Sequence, residues 1–299
     1  GGAKQIFRSL KEVFLALPDH VQVYPAHGAG SACGKALGAL PSTTVGYERS
    51  YAWWAPYLAN DDEQGFVDEL LDGQPDAHAY FGRMKRQNKT GPAVLGYPLA
   101  PLPELKGGDI ADEVRSGGKI IVDTRHHSEV HEGTVEGAVN VPGIDKAASY
   151  IAWVCDPESD TADLVVLAED QEKAEDFRNH FIRVGVDETV GYVTSFEGLP
   201  TTSPEVLAQD KLEGFSYDML LDLRNKTEHS DGHIPGSVQL SGGRVLWNLE
   251  QLPDTDATIV TYCQSGVRNS VAGSALRRKG YNIVELEDSY LGWLDHTNK

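Results

Sequence analysis

Apolar positions recur at helical spacing through Ala3–Ala16. Ile6, Phe7, Leu10, Val13 and Phe14, continued by Leu17, form one stripe and predict an amphipathic helix. Val21-Gln-Val-Tyr24 predicts a short strand, followed by a glycine-rich loop, Pro25–Lys35, that carries His27. A second helix is expected over Asp61–Asp72, opened by Asp61-Asp62-Glu63 and stopped by Gly73. Tyr80–Arg86 is a basic-aromatic segment, and the proline-rich stretch Pro92–Pro103 reads as a linker. Beyond it the pattern changes to short apolar runs at Lys119–Arg125, Ala162–Leu167, Asp218–Arg224 and Ala257–Tyr262. Strands of this kind, alternating with helical stretches, imply βα units and a parallel sheet.

Two of these segments repeat each other. Lys119-Ile-Ile-Val-Asp-Thr-Arg125 leads to Gly133-Thr-Val-Glu-Gly-Ala-Val-Asn-Val-Pro142, and Asp218-Met-Leu-Leu-Asp-Leu-Arg224 leads to Gly232-His-Ile-Pro-Gly-Ser-Val-Gln-Leu240. Asp123 to Gly133 and Asp222 to Gly232 have the same spacing, and a period near a hundred residues means two similar domains rather than a solenoid. The Asp-x-Arg at each strand end is first a structural pair. For Arg224, a structural bridge and an anion contact are equal readings, since guanidinium offers a fixed fork of donors.

The chemistry points to Cys263. It ends the apolar run Ala257–Tyr262, and the loop Cys263-Gln-Ser-Gly-Val-Arg268 leads into a helical pattern from Asn269 to Lys279, with Gly280 beyond. A lone cysteine is more often a buried structural residue. Here Gly266 and Arg268 are poor company for a core side chain. A strand-end sulfur ringed by the N–H groups of Gln264, Ser265, Gly266, Val267 and Arg268, at a helix N-terminus, is favoured as thiolate. Opposite this segment the first copy aligns without a gap, Leu164–Val186 on Ile259–Tyr281, which places Ala168 at the cysteine position. The loop Ala168–Lys173 has no nucleophile.

Composition sets limits. The chain has 299 residues, room for two or three domains. Its net charge of −19 argues against nucleic-acid and anionic-membrane partners. No apolar stretch approaches a membrane span, and the N-terminus lacks a signal-peptide pattern. Cys33, Cys155 and Cys263 are odd in number and widely spaced, so a disulfide framework is not expected and a reducing cytoplasm fits best. Cys155 reads as an incidental thiol and Cys33 as a tight-packing choice.

The repeat, the Gly232-His-Ile-Pro-Gly-Ser237 motif, the Cys263–Arg268 loop and the closing Tyr290-Leu-Gly-Trp293 together resemble tandem rhodanese domains. In that family Gly-Gly usually stands where this chain has Asp288-Ser289. The resemblance spans about Pro204 to His296 and implies a doubly wound α/β parallel sheet with an active copy at 204–299, preceded by an inactive copy at 104–199 that serves as a platform. Tyr24–Lys35 followed by Leu40–Glu48 resembles the closing part of a metallo-β-lactamase fold, in the persulfide dioxygenase branch that carries rhodanese domains. Residues 1–100 are then the C-terminal part of that domain plus linker. The family's HxHxDH motif is lacking, so His27 is a lone remnant of a metal-site motif, and no metal, no cofactor and no dioxygenase activity are expected. Apolar surface left by the missing half is expected to be covered by oligomerisation, a separate fragment or the neighbouring domain.

The resemblance implies a sulfurtransferase. Cys263 takes a sulfane sulfur from thiosulfate or a low-molecular-weight persulfide and passes it to a thiol, sulfite or cyanide, in sulfide or persulfide metabolism. Cys263 and Arg268 would be catalytic. Gln264, Ser265, Gly266, Val267, Arg224 and Arg244 would bind substrate, and Asp222, Gly232 and Gly236 would be structural. The alternatives are a small-loop cysteine phosphatase or arsenate reductase, and a non-enzymatic scaffold or sulfur-relay module.

Overall fold

The computed structural model describes residues 2–26, 41–74 and 76–297, so His27 and Cys33 lie outside the described residues. The chain divides into two compact units, Gly1–Pro75 and Asp76–Lys299.

In the first unit, helix α1 (Gly2–Ser9) continues as a wider π turn over Leu10–Phe14. Strands β1 (Gln22–Val23) and β2 (Thr43–Thr44) pair antiparallel. Helices α2 (Val45–Tyr51), α3 (Ala55–Ala59) and α4 (Glu63–Leu71) follow. Asp62 caps α4 by accepting the Gly65 N–H at 2.8 Å, so the predicted acidic start is a true N-cap. Only part of the amphipathic stripe finds a core. Phe7 packs with Leu58, Phe66 and Val67, whereas Ile6, Val13 and Leu17 are 48%, 67% and 41% exposed.

The second unit opens with α5 (Phe81–Thr90), the basic-aromatic segment, whose Arg83 is buried and donates to the Val184 carbonyl. The first copy comprises α6 (Gly107–Arg115), β3 (Lys119–Asp123), α7 (His127–Glu132), β4 (Thr134–Val135), β5 (Val139–Asn140), α8 (Ala147–Val154), β6 (Asp163–Leu167), α9 (Gln171–Phe181) and β7 (Thr189–Val193). The second comprises β8 (Thr201–Thr202), β9 (Glu205–Leu207), β10 (Met219–Asp222), α10 (Lys226–Asp231), β11 (Val238–Gln239), β12 (Thr258–Tyr262), α11 (Val267–Arg278), β13 (Asn282–Leu286) and α12 (Ser289–Thr297).

Two parallel sheets result, in orders β5-β3-β6-β7 and β11-β10-β12-β13-β9. A single parallel bridge, Glu104 to Tyr192, stands in the first copy where β9 stands in the second, so the topologies coincide. The central strands β3, β6, β10 and β12 read as near-continuous apolar runs because helices cover both faces. Ala168 directly follows β6, as Cys263 follows β12.

The copies share a core. Val271 and Ala275 of α11 pack among first-copy residues including Ile151 and Trp153. Around that seam the Ser270 hydroxyl donates to Asn140 Oδ1 at 2.9 Å, and the Asn140 N–H donates to Ser274 Oγ at 2.9 Å. Arg278 pairs with Asp160 at 2.7 Å. The helix behind the cysteine loop is thus clamped to the copy that lacks a nucleophile.

Candidate active site

Cys263 sits at the C-terminal end of β12 and is 1% exposed. Gly266, at φ +100°, turns the chain so sharply that α11 begins at Val267, two residues before the helical pattern starts in the sequence. The Gly266 N–H donates to Cys263 Sγ at 3.2 Å, just ahead of the N-terminus of α11 and its dipole. Among the described residues it is the one loop amide hydrogen-bonded to Sγ, where a fuller ring had been expected.

A second arm comes from α12. The Cys263 N–H donates to Ser289 Oγ at 3.1 Å, and the Ser289 hydroxyl lies 3.8 Å from Sγ. The Tyr290 N–H reaches the Cys263 carbonyl at 3.0 Å and the Leu291 N–H the Gln264 carbonyl at 3.1 Å. Asp288 and Ser289 take φ of +52° and +53°. L residues adopt this conformation at a cost, which bears on the missing Gly-Gly.

Arg268 does not present a free charge. Its guanidinium grips Glu228 with both prongs at 2.7 Å. Burial alone would raise the Glu228 carboxyl, but the bonds from Arg268 and the Asn225 N–H hold it below its ordinary range. Glu228 also closes a capping box with Asn225 at the start of α10.

Arg224, for which a structural bridge and an anion contact were equal readings, is 2% exposed and forms the bridge. It forks onto Asp222, bonds the Gly232 carbonyl at 2.7 Å and lies 3.9 Å over the Tyr290 ring. A fourth contact, at 3.3 Å, fixes Gln264 Oε1. Asp222 also takes the Tyr262 hydroxyl at 2.9 Å and His229 Nδ1 at 3.0 Å. Burial pushes that carboxyl up, and the Arg224 and His229 bonds more than offset it. Asp222 and the Gly232 carbonyl thus both hold Arg224, and Gly236 turns at φ +83°. Arg244 lies 3.9 Å from Asp76 with a half-exposed side chain, and none of its bonds reaches the loop. Ser265 is exposed at the loop's tip, and Val267 packs into the shared core.

Four neighbours of the loop were not singled out from the sequence. Glu228 was readable, since Asn225-x-x-Glu228 is a capping box. Ser289 was visible only as a departure from Gly-Gly. His127 and Tyr150 belong to the other copy, so no local pattern could find them. His127 lies on Gly266, where an added Cβ would come within 2.7 Å of Nε2. Its pKa is lowered by burial first, then by His126 and His131. Cys155 is buried and its thiol is pushed up to about 12 by burial, so it is no partner for sulfur chemistry at neutral pH.

The Rhodanese-like domain family matches residues 204–296, the stretch that carries β9 to α12 and the cysteine loop. Residues 204–296 are a rhodanese-like domain. Over 105 residues, the chain is 30% identical to "Putative sulfur carrier protein YrkF" of Bacillus subtilis (strain 168), covering 35% of this chain and 54% of that protein. A solved metallo-beta-lactamase from Staphylococcus aureus subsp. aureus COL is 30% identical, with 65% of this chain and 51% of that chain covered at a TM-score of 0.48. A thiosulfate sulfurtransferase from Pseudomonas aeruginosa is 16% identical, with 72% and 46% covered at a TM-score of 0.28. The chain thus spans about half the length of these relatives. Among the described residues of the rhodanese-like domain and the rest of the chain, no helix is long and apolar enough to cross a membrane.

Proposed function

We propose that this chain is a sulfurtransferase that carries a sulfane sulfur on Cys263. The observation that carries the reading is Sγ at the end of β12, taking the Gly266 N–H at 3.2 Å at the N-terminus of α11. The rhodanese-like match and the sulfur-carrier relative support sulfur transfer in general terms. The donor would be thiosulfate or a low-molecular-weight persulfide, and the acceptor a thiol, sulfite or cyanide. As thiolate, Cys263 attacks the sulfane sulfur; the new Sγ–S bond forms as the donor's own bond breaks, and sulfite or a thiolate leaves with the electron pair. The acceptor repeats the exchange on the outer sulfur. No external oxidant enters.

Arg268 weighs against a phosphatase. A phosphate site needs a guanidinium fork free to take two oxygens, and here both prongs are on Glu228. Intact mass after incubation with thiosulfate or glutathione persulfide tests the reading. We expect a gain of one sulfur, about 32 Da, in the native protein and none in Cys263→Ser. A gain that survives the substitution would place the chemistry elsewhere.

A further inference from the structure

Ser289 brings a polar group to the cysteine sulfur from outside the loop. Its side chain is fully buried, and its hydroxyl oxygen accepts the Cys263 N–H at 3.1 Å. A buried O–H also needs an acceptor for its own proton. Among the described residues that acceptor is Cys263 Sγ, 3.8 Å away. The backbone around Ser289 is held on both sides. Gln209 Nε2 donates to the Ser289 carbonyl at 3.0 Å and also to the Glu287 carbonyl. The Tyr290 N–H donates to the Cys263 carbonyl at 3.0 Å and the Leu291 N–H to the Gln264 carbonyl at 3.1 Å, which docks the start of α12 on the cysteine loop. Ser289 stands in this place at φ +53°, where a residue with a Cβ is strained and glycine is not. A glycine would fit this backbone better but would bring no donor to the sulfur.

We infer that Ser289 is a catalytic residue of the sulfur-transfer cycle, its O–H donating to Cys263 Sγ and stabilising that atom as thiolate. This rests on the sulfurtransferase reading and deepens it, because it assigns the donor to the step in which the carried sulfur is delivered. There the acceptor, a thiolate or cyanide, forms a bond to the outer sulfur, the Sγ–S bond breaks, and Sγ leaves with the electron pair. The charge that arrives on Sγ meets the Gly266 N–H and the Ser289 O–H. Ser289 keeps its proton throughout. In the persulfide the charge sits on the outer atom and the bond to Sγ is weak; on the released thiolate it is charge-assisted and strong. A sulfur stabilised in this way is the better leaving group.

The test uses Ser289→Ala and Ser289→Gly in the full chain. Alanine removes the hydroxyl and keeps the strained backbone, whereas glycine removes both and fits the turn. The first readout is the pH–rate profile of Cys263 alkylation by iodoacetamide, followed by peptide mass. In both variants it should move about one unit to higher pH, an about 10-fold slower reaction on its lower limb, as expected for one hydrogen bond lost to a charged sulfur. The second is single-turnover delivery from preloaded Cys263 to cyanide, which should slow about 3-fold if sensitivity to leaving-group basicity is roughly one half. Native profiles in both variants overturn the inference and leave the sulfurtransferase reading standing. A shift in the alanine variant alone assigns the effect to backbone strain and also overturns it, as does a shifted profile with delivery at the native rate. Native protein that gains no sulfur ends the sulfurtransferase reading and the catalytic role with it.

Discussion

Replacing Gly266 with alanine separates two things that the loop needs at that position. The first is conformation: at φ +100° a Cβ is strained, at about 1–2 kcal/mol. The second is space: the new Cβ would lie 2.7 Å from His127 Nε2 and 3.0 Å from Cδ2, and overpacking of this kind costs about 1–3 kcal/mol. Together they come to roughly 2–5 kcal/mol, or roughly 4–20 °C of melting temperature at the ~2–4 °C per kcal/mol of a unit of about 150–250 residues. The shift also moves the amide that holds Sγ, so sulfur loading should fall with stability. Thermal melts with parallel intact-mass loading measure both. In Gly266→Ala/His127→Ala the steric part is relieved and the conformational part stays, so the double variant should recover about half of the loss after correction for His127→Ala alone. Gly266→Ala that melts and loads as the native protein does would refute the reasoning. A double variant no better than the single one would refute its steric half.

Two further outcomes follow from buried groups. Glu285, on β13, bonds Arg277 at 2.7 Å and His131 of the first copy at 3.1 Å. Burial raises its pKa, but Arg277 and His131 more than offset that and hold it below the ordinary carboxylate value. A lowered folded pKa gives stability that is present above the unfolded value, near 4.3, and lost as pH falls through the folded one. Glu285→Gln should therefore melt lower than the native protein at pH 7, with a gap that closes below about pH 4; a gap that does not change with pH would contradict this. Cys155, with its thiol near 12, should resist iodoacetamide at pH 8 in the folded protein and react once urea unfolds it. Labelling of Cys155 as fast in the native state as in urea would show the burial argument to be wrong.

The parts of this fold legible in the sequence were those set by short-range pattern. β3, β6, β10 and β12 are mainly apolar strands of four or five residues, and the strand–cysteine–loop–helix order survives intact. Helix starts with acidic caps, such as Asp62, were also plain. What spacing left open was direction. An Arg two residues after an Asp says nothing about whether its fork faces solvent or folds back, and Arg224 folds back because Asp222, the Gly232 carbonyl and Tyr290 saturate it. The same holds for Arg268, whose partner Glu228 lies forty residues away in the chain. His127 and Tyr150 were out of reach for a stronger reason: they meet the loop across a seam between two copies, where residue spacing carries no information.

On the proposed function, a sulfur anion would have to be stabilised in a chain of net charge −19, and that seam contributes to it. A full cation about 4 Å from the sulfur would be worth about 4 kcal/mol at an effective dielectric of ~20. Arg268 supplies part of that, shared with Glu228 at 2.7 Å. Neutral donors add to it: the Gly266 N–H, the Ser289 hydroxyl and the N-terminal dipole of α11. Neutral donors suit a polarisable, singly charged sulfur, which is weakly hydrated, better than a phosphate dianion that demands a cationic fork. They must, however, be held rigidly, since a dipole's benefit depends on its angle as well as its distance. Two devices provide the rigidity. Asp288 and Ser289 retain a costly left-handed backbone that a glycine pair would adopt freely, and Ser289 thereby brings its hydroxyl to Cys263. The first copy, stripped of its own nucleophile, fixes α11 through Asn140, Asp160 and its apolar core. Loosening either should therefore weaken sulfur carriage before it unfolds the domain.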